Sequence, residues 1–382
     1  MNNSAASPTH RRCLFFLAAV SAVMIFLYGR FDCTNEAFTK WDSLIYREMA
    51  SAAPHLDPLA PRPFAFRLLG PYLVGLVPGP PENAFFIATL ILSVLLIYLM
   101  YEFLCYFGLQ PKVACIATIL YLFNKHFFGF TSWNYFHLND VLTNLFLIIL
   151  FWSMLESRWL IFAAAFCLAI ATRETALVMI PTGLLYLVEH KTLRREGGRF
   201  IGAIVPGLAC YAALHLFIHP ASGQTITQAI SVHWTKLTSL ERMYHVLVNP
   251  FIPLTLVPLV FFKRSIAFFR GRTYLVLYFI LIACTPLVGA NNERLLNPTF
   301  IVFYALIGFI MQESVLPNKV LTALVLTGGF LSHLHWLVAR YPLPSRNATG
   351  ALSGGSLAVI TLALALFAVL RKSAEGSRRV SS

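Results

Sequence analysis

Between Ala84 and Phe107 the chain carries one charged residue, Glu102. A helix needs about 20 mostly apolar residues to cross the hydrocarbon layer of a membrane. Similar apolar runs recur at 13–28, 84–107, 113–130, 140–155, 159–172, 175–188, 200–218, 251–262, 273–289, 298–311, 320–338 and 356–370. Hydrophobic residues make up 58% of the 382 residues and charged ones only 12%, against about 25% charged in a soluble domain. A soluble fold is excluded. The expectation is an all-α, polytopic transmembrane helical bundle of about 12 spans. Residues 1–370 form one membrane-embedded domain in this reading, and 371–382 a cytoplasmic tail. The pair 159–172 and 175–188 is either one long helix broken near Arg173-Glu174 or two short ones.

The net charge of +13 does not imply nucleic acid. The Lys and Arg residues cluster beside the apolar runs, as in the orientation signal of membrane proteins. Affinity for anionic lipid head groups is a secondary expectation. The dense patches are Lys191/Arg194/Arg195/Arg199, Lys263/Arg264/Arg270/Arg272 and Arg371/Lys372/Arg378/Arg379. With the N-terminus inside and an uncleaved first span, all three fall on the inside. The 29–83 segment then faces the periplasm, or the lumen in a eukaryotic cell. That places the protein in a bacterial inner membrane, or in the endoplasmic reticulum membrane of a eukaryote. Among the seven cysteines no Cys-x-x-Cys pair occurs, so neither a disulfide framework nor a zinc site is indicated. His333-x-His335 alone is weak evidence for metal, and none is expected.

The 29–83 segment is the polar exception. Asp32, Glu36, Asp42, Glu48 and Asp57 lie in it, out of 16 acidic residues in the chain. Trp41, Leu44, Ile45 and Met49 share one helical face, and Asp42 and Tyr46, four apart, share another. Thr39-x-x-Asp42 resembles a capping box. The stretch 64–77, broken by Gly70 and Pro71, fits a helix lying in the membrane interface. The segment therefore reads as a large non-cytoplasmic first loop carrying interfacial helices.

Asp42 is the first candidate for chemistry, as a general base on the outer face. It equally fits a plain helix-start residue favoured by the macrodipole. Asp140 opens an apolar run after Trp133-Asn134-Tyr135-Phe136-His137-Leu138-Asn139. It is either a second carboxylate at the same level or, with Asn139, a cap. Arg173 and Glu174 interrupt an apolar run, where charges are costly and usually functional or paired. They fit a substrate contact or a local ion pair at a helix break. Arg294, in Asn291-Asn292-Glu293-Arg294-Leu295-Leu296-Asn297-Pro298, offers planar donors that match phosphate, or merely anchors a span end. Lys125 and His126 add positive charge at the same level.

At these residues the chain resembles a family. Trp41-Asp42-Ser43-x-x-Tyr46, Pro63-Phe64-x-x-Arg67-x-Leu69-x-Pro71, Asp140 opening a span, Ala171-Thr172-Arg173-Glu174-Thr175-Ala176 and Asn292-Glu293-Arg294-Leu295-Leu296-x-Pro298 are similar in layout to the GT-C class of integral-membrane glycosyltransferases. The first-loop motif is similar to that of the mannosyltransferases that build glycolipid anchors. The resemblance implies a sugar donor linked to polyprenyl phosphate, an acceptor hydroxyl of unspecified identity, and no cofactor. It implies Asp42 as the catalytic acid residue of the class, with Arg294 on the donor phosphate. The motif here lacks an adjacent acid pair, which leaves any second carboxylate to Glu48 or Asp140. Tyr46, Arg67, Arg173, Glu174, Lys125 and His126 complete the expected substrate-binding set. Two other functions fit the same composition. One is a transporter or flippase for a lipid-linked sugar, which internal repeats would favour and which this sequence lacks. The other is a non-catalytic partner subunit of the same fold.

Overall fold

The computed structural model describes residues 7–32, 42–223, 225–289, 292–314, 318–340, 351–352 and 354–367. All regular structure among them is helical. Thr39, Trp41, Asn347-Ala348-Thr349, which fits an N-glycosylation sequon, and the tail from 368 onward lie outside the described residues.

Among the described residues five helical segments are long and apolar enough to cross a membrane: Pro8–Tyr28, Pro81–Tyr106, Tyr135–Leu155, Leu193–Phe217 and Arg294–Glu313. Two more pairs qualify if each bent pair is one span, Pro111–Leu122 with Lys125–Trp133 and Phe262–Phe269 with Thr273–Val288, bent by 55° and 108°. The described residues thus support five to seven spans and do not confirm the expected twelve. The reason is length. α8 (Trp159–Thr172) has 14 residues and α9 (Met179–Glu189) has 11. At about 1.5 Å per residue neither covers a hydrocarbon layer of about 30 Å. An apolar run records burial without saying whether lipid or protein does the burying. α7 (Leu138–Leu155) and α17 (Phe300–Ser314) belong to windows that are 78% and 83% buried inside the protein. They are the central helices of the bundle.

The remaining long helices are α1 (Pro8–Tyr28), α4 (Pro81–Tyr106), α5 (Pro111–Leu122), α10 (Leu193–Phe217) and α18 (Lys319–Arg340). Their ends sort into two levels by contact. At one level His10 bridges Glu102 at 3.0 Å, Trp159 Nε1 donates to Glu196 at 2.9 Å, and Glu189 accepts from the Thr273 backbone at 3.1 Å. Arg264 pairs with Glu313 there as well. The basic patches 191–199 and 263–272 belong to this level. The opposite level gathers the end of α1, the start of α4, the start of α7, the end of α8 and the start of α17.

The 29–83 segment folds over that second level as α2 (Asp42–Ala52), a single 3₁₀ turn (Phe64–Phe66) and α3 (Leu69–Gly75). The expected interfacial helix over 64–77 is thus two short pieces. Arg67 breaks them with φ −98° and ψ 60°. Asn139, in the first turn of α7, locks this break. Its side chain accepts from Gly70 N and donates to Arg67 O, both at 3.0 Å. A Cβ on Gly70 would lie 2.2 Å from Asn139 Oδ1, so only glycine permits the approach. α2 turns Ser43, Tyr46, Met49 and Ala50 inward, while Leu44 and Ile45 are only half-buried. The buried face is centred on Tyr46 and Met49, one step round from the expected apolar stripe. Tyr46, Met49, Val74, Phe85, Tyr135 and Phe136 belong to a second, smaller apolar cluster beneath the segment.

Candidate functional site

The helix ends at the second level converge on a chain of charges. Asp42 is the first residue of α2, where the helix dipole favours a carboxylate. Its Oδ2 accepts from Arg294 Nη1 at 2.7 Å. Arg294 sits in α16 (Asn292–Leu296), the short helix that leads into α17. The Arg294 Nε lies 3.2 Å from Asp140 Oδ2. The other oxygen of Asp140 accepts from Arg173 Nη1 at 2.6 Å. Asp42, Arg294, Asp140 and Arg173 thus form one continuous ladder. Arg67 pairs beside it with Glu174 at 3.2 Å.

The local reasons differ along the ladder. Asp140 lies in the first turn of α7, again at a dipole end that suits negative charge. Arg173 ends α8 in an extended conformation, φ −168° and ψ 140°. That geometry sends Arg173 and the next residue, Glu174, to different partners. Of the two readings, the local Arg173–Glu174 ion pair does not form: Arg173 pairs with Asp140, and Glu174 with Arg67. Charges this deep must be paired to be tolerated, and the ladder gives each of them an opposite charge.

Exposure is graded along the ladder. The Asp42 side chain is 36% exposed, whereas those of Arg294, Asp140 and Arg173 are 8%, 5% and 2% exposed. Water and solutes therefore reach the cluster by way of Asp42. Burial pushes the Asp42 carboxyl up, but the Arg294 guanidinium and the His137 ring outweigh it and hold the group below its usual value. At Arg67 burial acts to lower the pKa, and the Glu174 carboxylate and the Tyr46 hydroxyl more than reverse it.

His137 is the residue that sequence reasoning missed. Its ring nitrogens lie 3.1 and 3.3 Å from Arg294 Nη1, so a neutral ring accepts the second proton of that nitrogen. The ring stacks on Phe130 at 5.2 Å and meets Tyr46 edge-on at 6.1 Å. The available signal was a histidine three positions before Asp140 in a stretch that is otherwise largely apolar. Tyr46 itself is buried between Phe64 and His137, so it shapes the wall of the site rather than presenting its ring to solvent.

Glu48 is exposed. Six residues past Asp42, at about 100° per residue, it points away from the ladder. The assignment of Glu48 as a second site carboxylate is corrected on that ground. Lys125 is buried and His126 half-buried, on a π-helical turn (Lys125–Gly129) whose start is capped by Asn124. That turn packs against α16, so both stand next to the helix bearing Arg294. Arg173 Nη2 and both amide atoms of Asn297 are buried without a hydrogen-bond partner, which leaves donors near the ladder for an oxygen-rich group. Among the described residues no three His, Cys, Asp or Glu side chains come together as metal ligands.

Three arginines, Arg67, Arg173 and Arg294, thus face three carboxylates, Asp42, Asp140 and Glu174, around one histidine. Such a site can hold an anion on guanidinium groups and take a proton on the exposed carboxylate. No family model matches the chain, and neither a curated protein nor a solved structure matches it.

Proposed function

We propose that the protein is a GT-C-like glycosyltransferase, which moves a sugar from a polyprenyl-phosphate carrier to an acceptor hydroxyl on the non-cytoplasmic side of the membrane. The observation that carries this reading is the placement of Asp42. It is the one ladder carboxylate open to solvent, and it rests on a buried arginine suited to phosphate. The lipid carrier cannot leave the bilayer, so its enzyme must work where membrane and water meet. The ladder lies at the helix ends opposite the basic patches, the level that the positive-inside rule assigns to the outside.

The chemistry follows from these groups. The acceptor oxygen forms a bond to the anomeric carbon while the bond from that carbon to the phosphate oxygen breaks. The acceptor proton passes to Asp42. The bonding electrons leave with the phosphate, whose growing charge Arg294 stabilises, with Arg173 Nη2 as a further donor. Asp140 and His137 fix the guanidinium in advance of the reaction.

The test is transfer by purified protein in lipid nanodiscs, offered a panel of polyprenyl-phosphate sugars and hydroxyl acceptors. Release of carrier phosphate together with a glycosylated acceptor is expected, and Asp42→Asn should abolish both. Movement of the intact lipid-linked sugar between leaflets without bond cleavage would overturn the reading in favour of a flippase.

A further inference from the structure

Both protons of Arg294 Nη1 are in use within the protein. One goes to Asp42 Oδ2 at 2.7 Å and the other to the His137 ring at 3.1 Å. A phosphate that takes this edge of the guanidinium must displace one of the two. His137 is buried and stacked on Phe130, and Asp140 holds the Nε side of Arg294 from a buried position. Asp42 is the partner with access to solvent and stands first in its helix. The displaced group is therefore Asp42.

We infer that the anion and Asp42 compete for Arg294, so that anion binding itself releases the carboxylate that acts on the acceptor. This rests on the proposed function only in taking the anion to be the donor's phosphate. Its consequence is an order of events. Before the anion arrives, Asp42 is held in an ion pair through its Oδ2. Once the anion takes over Arg294, Asp42 Oδ2 is free, on a side chain that solvent reaches, to take the proton of an acceptor hydroxyl. The carboxylate is released from its ion pair only when the donor is seated.

The sign of one substitution separates this from ordinary recognition. A residue that only contributes to a site weakens binding when altered. A residue that competes with the ligand strengthens binding when its charge is removed. The probe is farnesyl phosphate, titrated calorimetrically into wild-type and variant protein in neutral-lipid nanodiscs, with farnesol as the control for the apolar chain. Asp42→Asn and Asp42→Ala should each bind farnesyl phosphate about tenfold more tightly than wild type, equivalent to about 1.4 kcal/mol, with farnesol unaffected. Arg294→Ala should lose the phosphate-dependent part of the affinity. Unchanged or weaker farnesyl phosphate binding in both Asp42 variants would overturn the competition. Tighter binding in those variants, combined with no sugar transfer by wild type on any donor, would leave the competition standing and remove the glycosyltransferase reading. Absence of phosphate-dependent binding in every protein, wild type included, would overturn both.

Discussion

Asp140 and Arg173 meet at 2.6 Å with side chains only 5% and 2% exposed, in a protein where both stand at the ends of apolar helices. Their burial gives the pair a structural role that Asp42 does not share. Removing one partner of a buried ion pair leaves an uncompensated charge, at a cost of about 3–5 kcal/mol. Asp140→Asn should therefore lower the thermal midpoint of the purified protein markedly and abolish activity with it. Arg173→Gln should do the same. The double variant Asp140→Asn/Arg173→Gln should lose clearly less stability than the two single losses added, because neither charge is then left alone. Melting followed by intrinsic fluorescence checks this, and strictly additive losses would mean that the two side chains are not coupled.

His137 holds Arg294 through a ring nitrogen that accepts a hydrogen bond. A glutamine carbonyl can accept in its place, whereas leucine cannot. His137→Leu is expected to raise the donor KM by about tenfold, the size of one lost hydrogen bond to a charged group, with a smaller effect on the acceptor KM. His137→Gln should recover most of the donor affinity. Equal behaviour of the two variants would show that the ring only fills space between Phe130 and Tyr46.

Sidedness is open to direct labelling. Ser51 is exposed on α2 at the site level, and Gly198 is exposed among the basic residues of α10. A Cβ added at Gly198 meets nothing within 4 Å, so a cysteine is tolerated there, whereas the neighbouring Gly197 is buried. A membrane-impermeant maleimide applied from outside should modify Ser51→Cys and spare Gly198→Cys, each measured above the parent chain's own labelling. The reverse pattern would put the ladder on the cytoplasmic side and exclude a periplasmic or lumenal donor.

Much of this ladder was legible in the sequence because charges inside apolar runs are rare and must be compensated. Arg173 and Glu174 stand out for that reason, Asp140 and Arg294 by opening or preceding apolar runs, and Asp42 and Arg67 by their short motifs in the polar 29–83 segment, and the fold brings all six to one level. The pairing was not legible. Arg173 and Glu174 are neighbours in sequence, yet the extended backbone at Arg173 separates them, and only the packing of α7 against α8 supplies Asp140 instead. His137 was hidden because a neutral histidine carries no charge to mark it among aromatic residues. Asn139 suggested a helix cap, while its actual task of clamping Gly70 and Arg67 depends on a segment 69 positions away. The number of spans is not legible for a related reason. The short helices α8 and α9 are as apolar as true spans, and hydropathy does not record that one ends and the other begins at a charged break.

The last prediction concerns Asp42 and pH. The titratable and charged groups that face it are Arg294, His137 and Arg67. Burial acts against ionisation, but the Arg294 guanidinium prevails and depresses the carboxyl. A carboxyl lowered in this way contributes its stabilisation above the unfolded value, about 3.9 for Asp, and loses it as pH falls through the lower folded value. The free enzyme should therefore keep Asp42 ionised across the whole range above about pH 4, and kcat/KM should show no acid limb from this residue there. If the anion draws Arg294 away, Asp42 loses its strongest counter-charge in the complex. The acid limb of kcat, which reports the bound state, should then lie at higher pH than that of kcat/KM. Asp42→Asn should remove the limb from both profiles and reduce transfer by about a hundredfold or more. Its cost in stability should stay within about 1 kcal/mol, as for other partly exposed ion pairs. Rates and melting curves measured on one preparation between pH 4 and 8 decide the matter. Near-normal transfer by Asp42→Asn at saturating donor and acceptor would remove Asp42 as the base, and coincident acid limbs for kcat and kcat/KM would remove the exchange at Arg294.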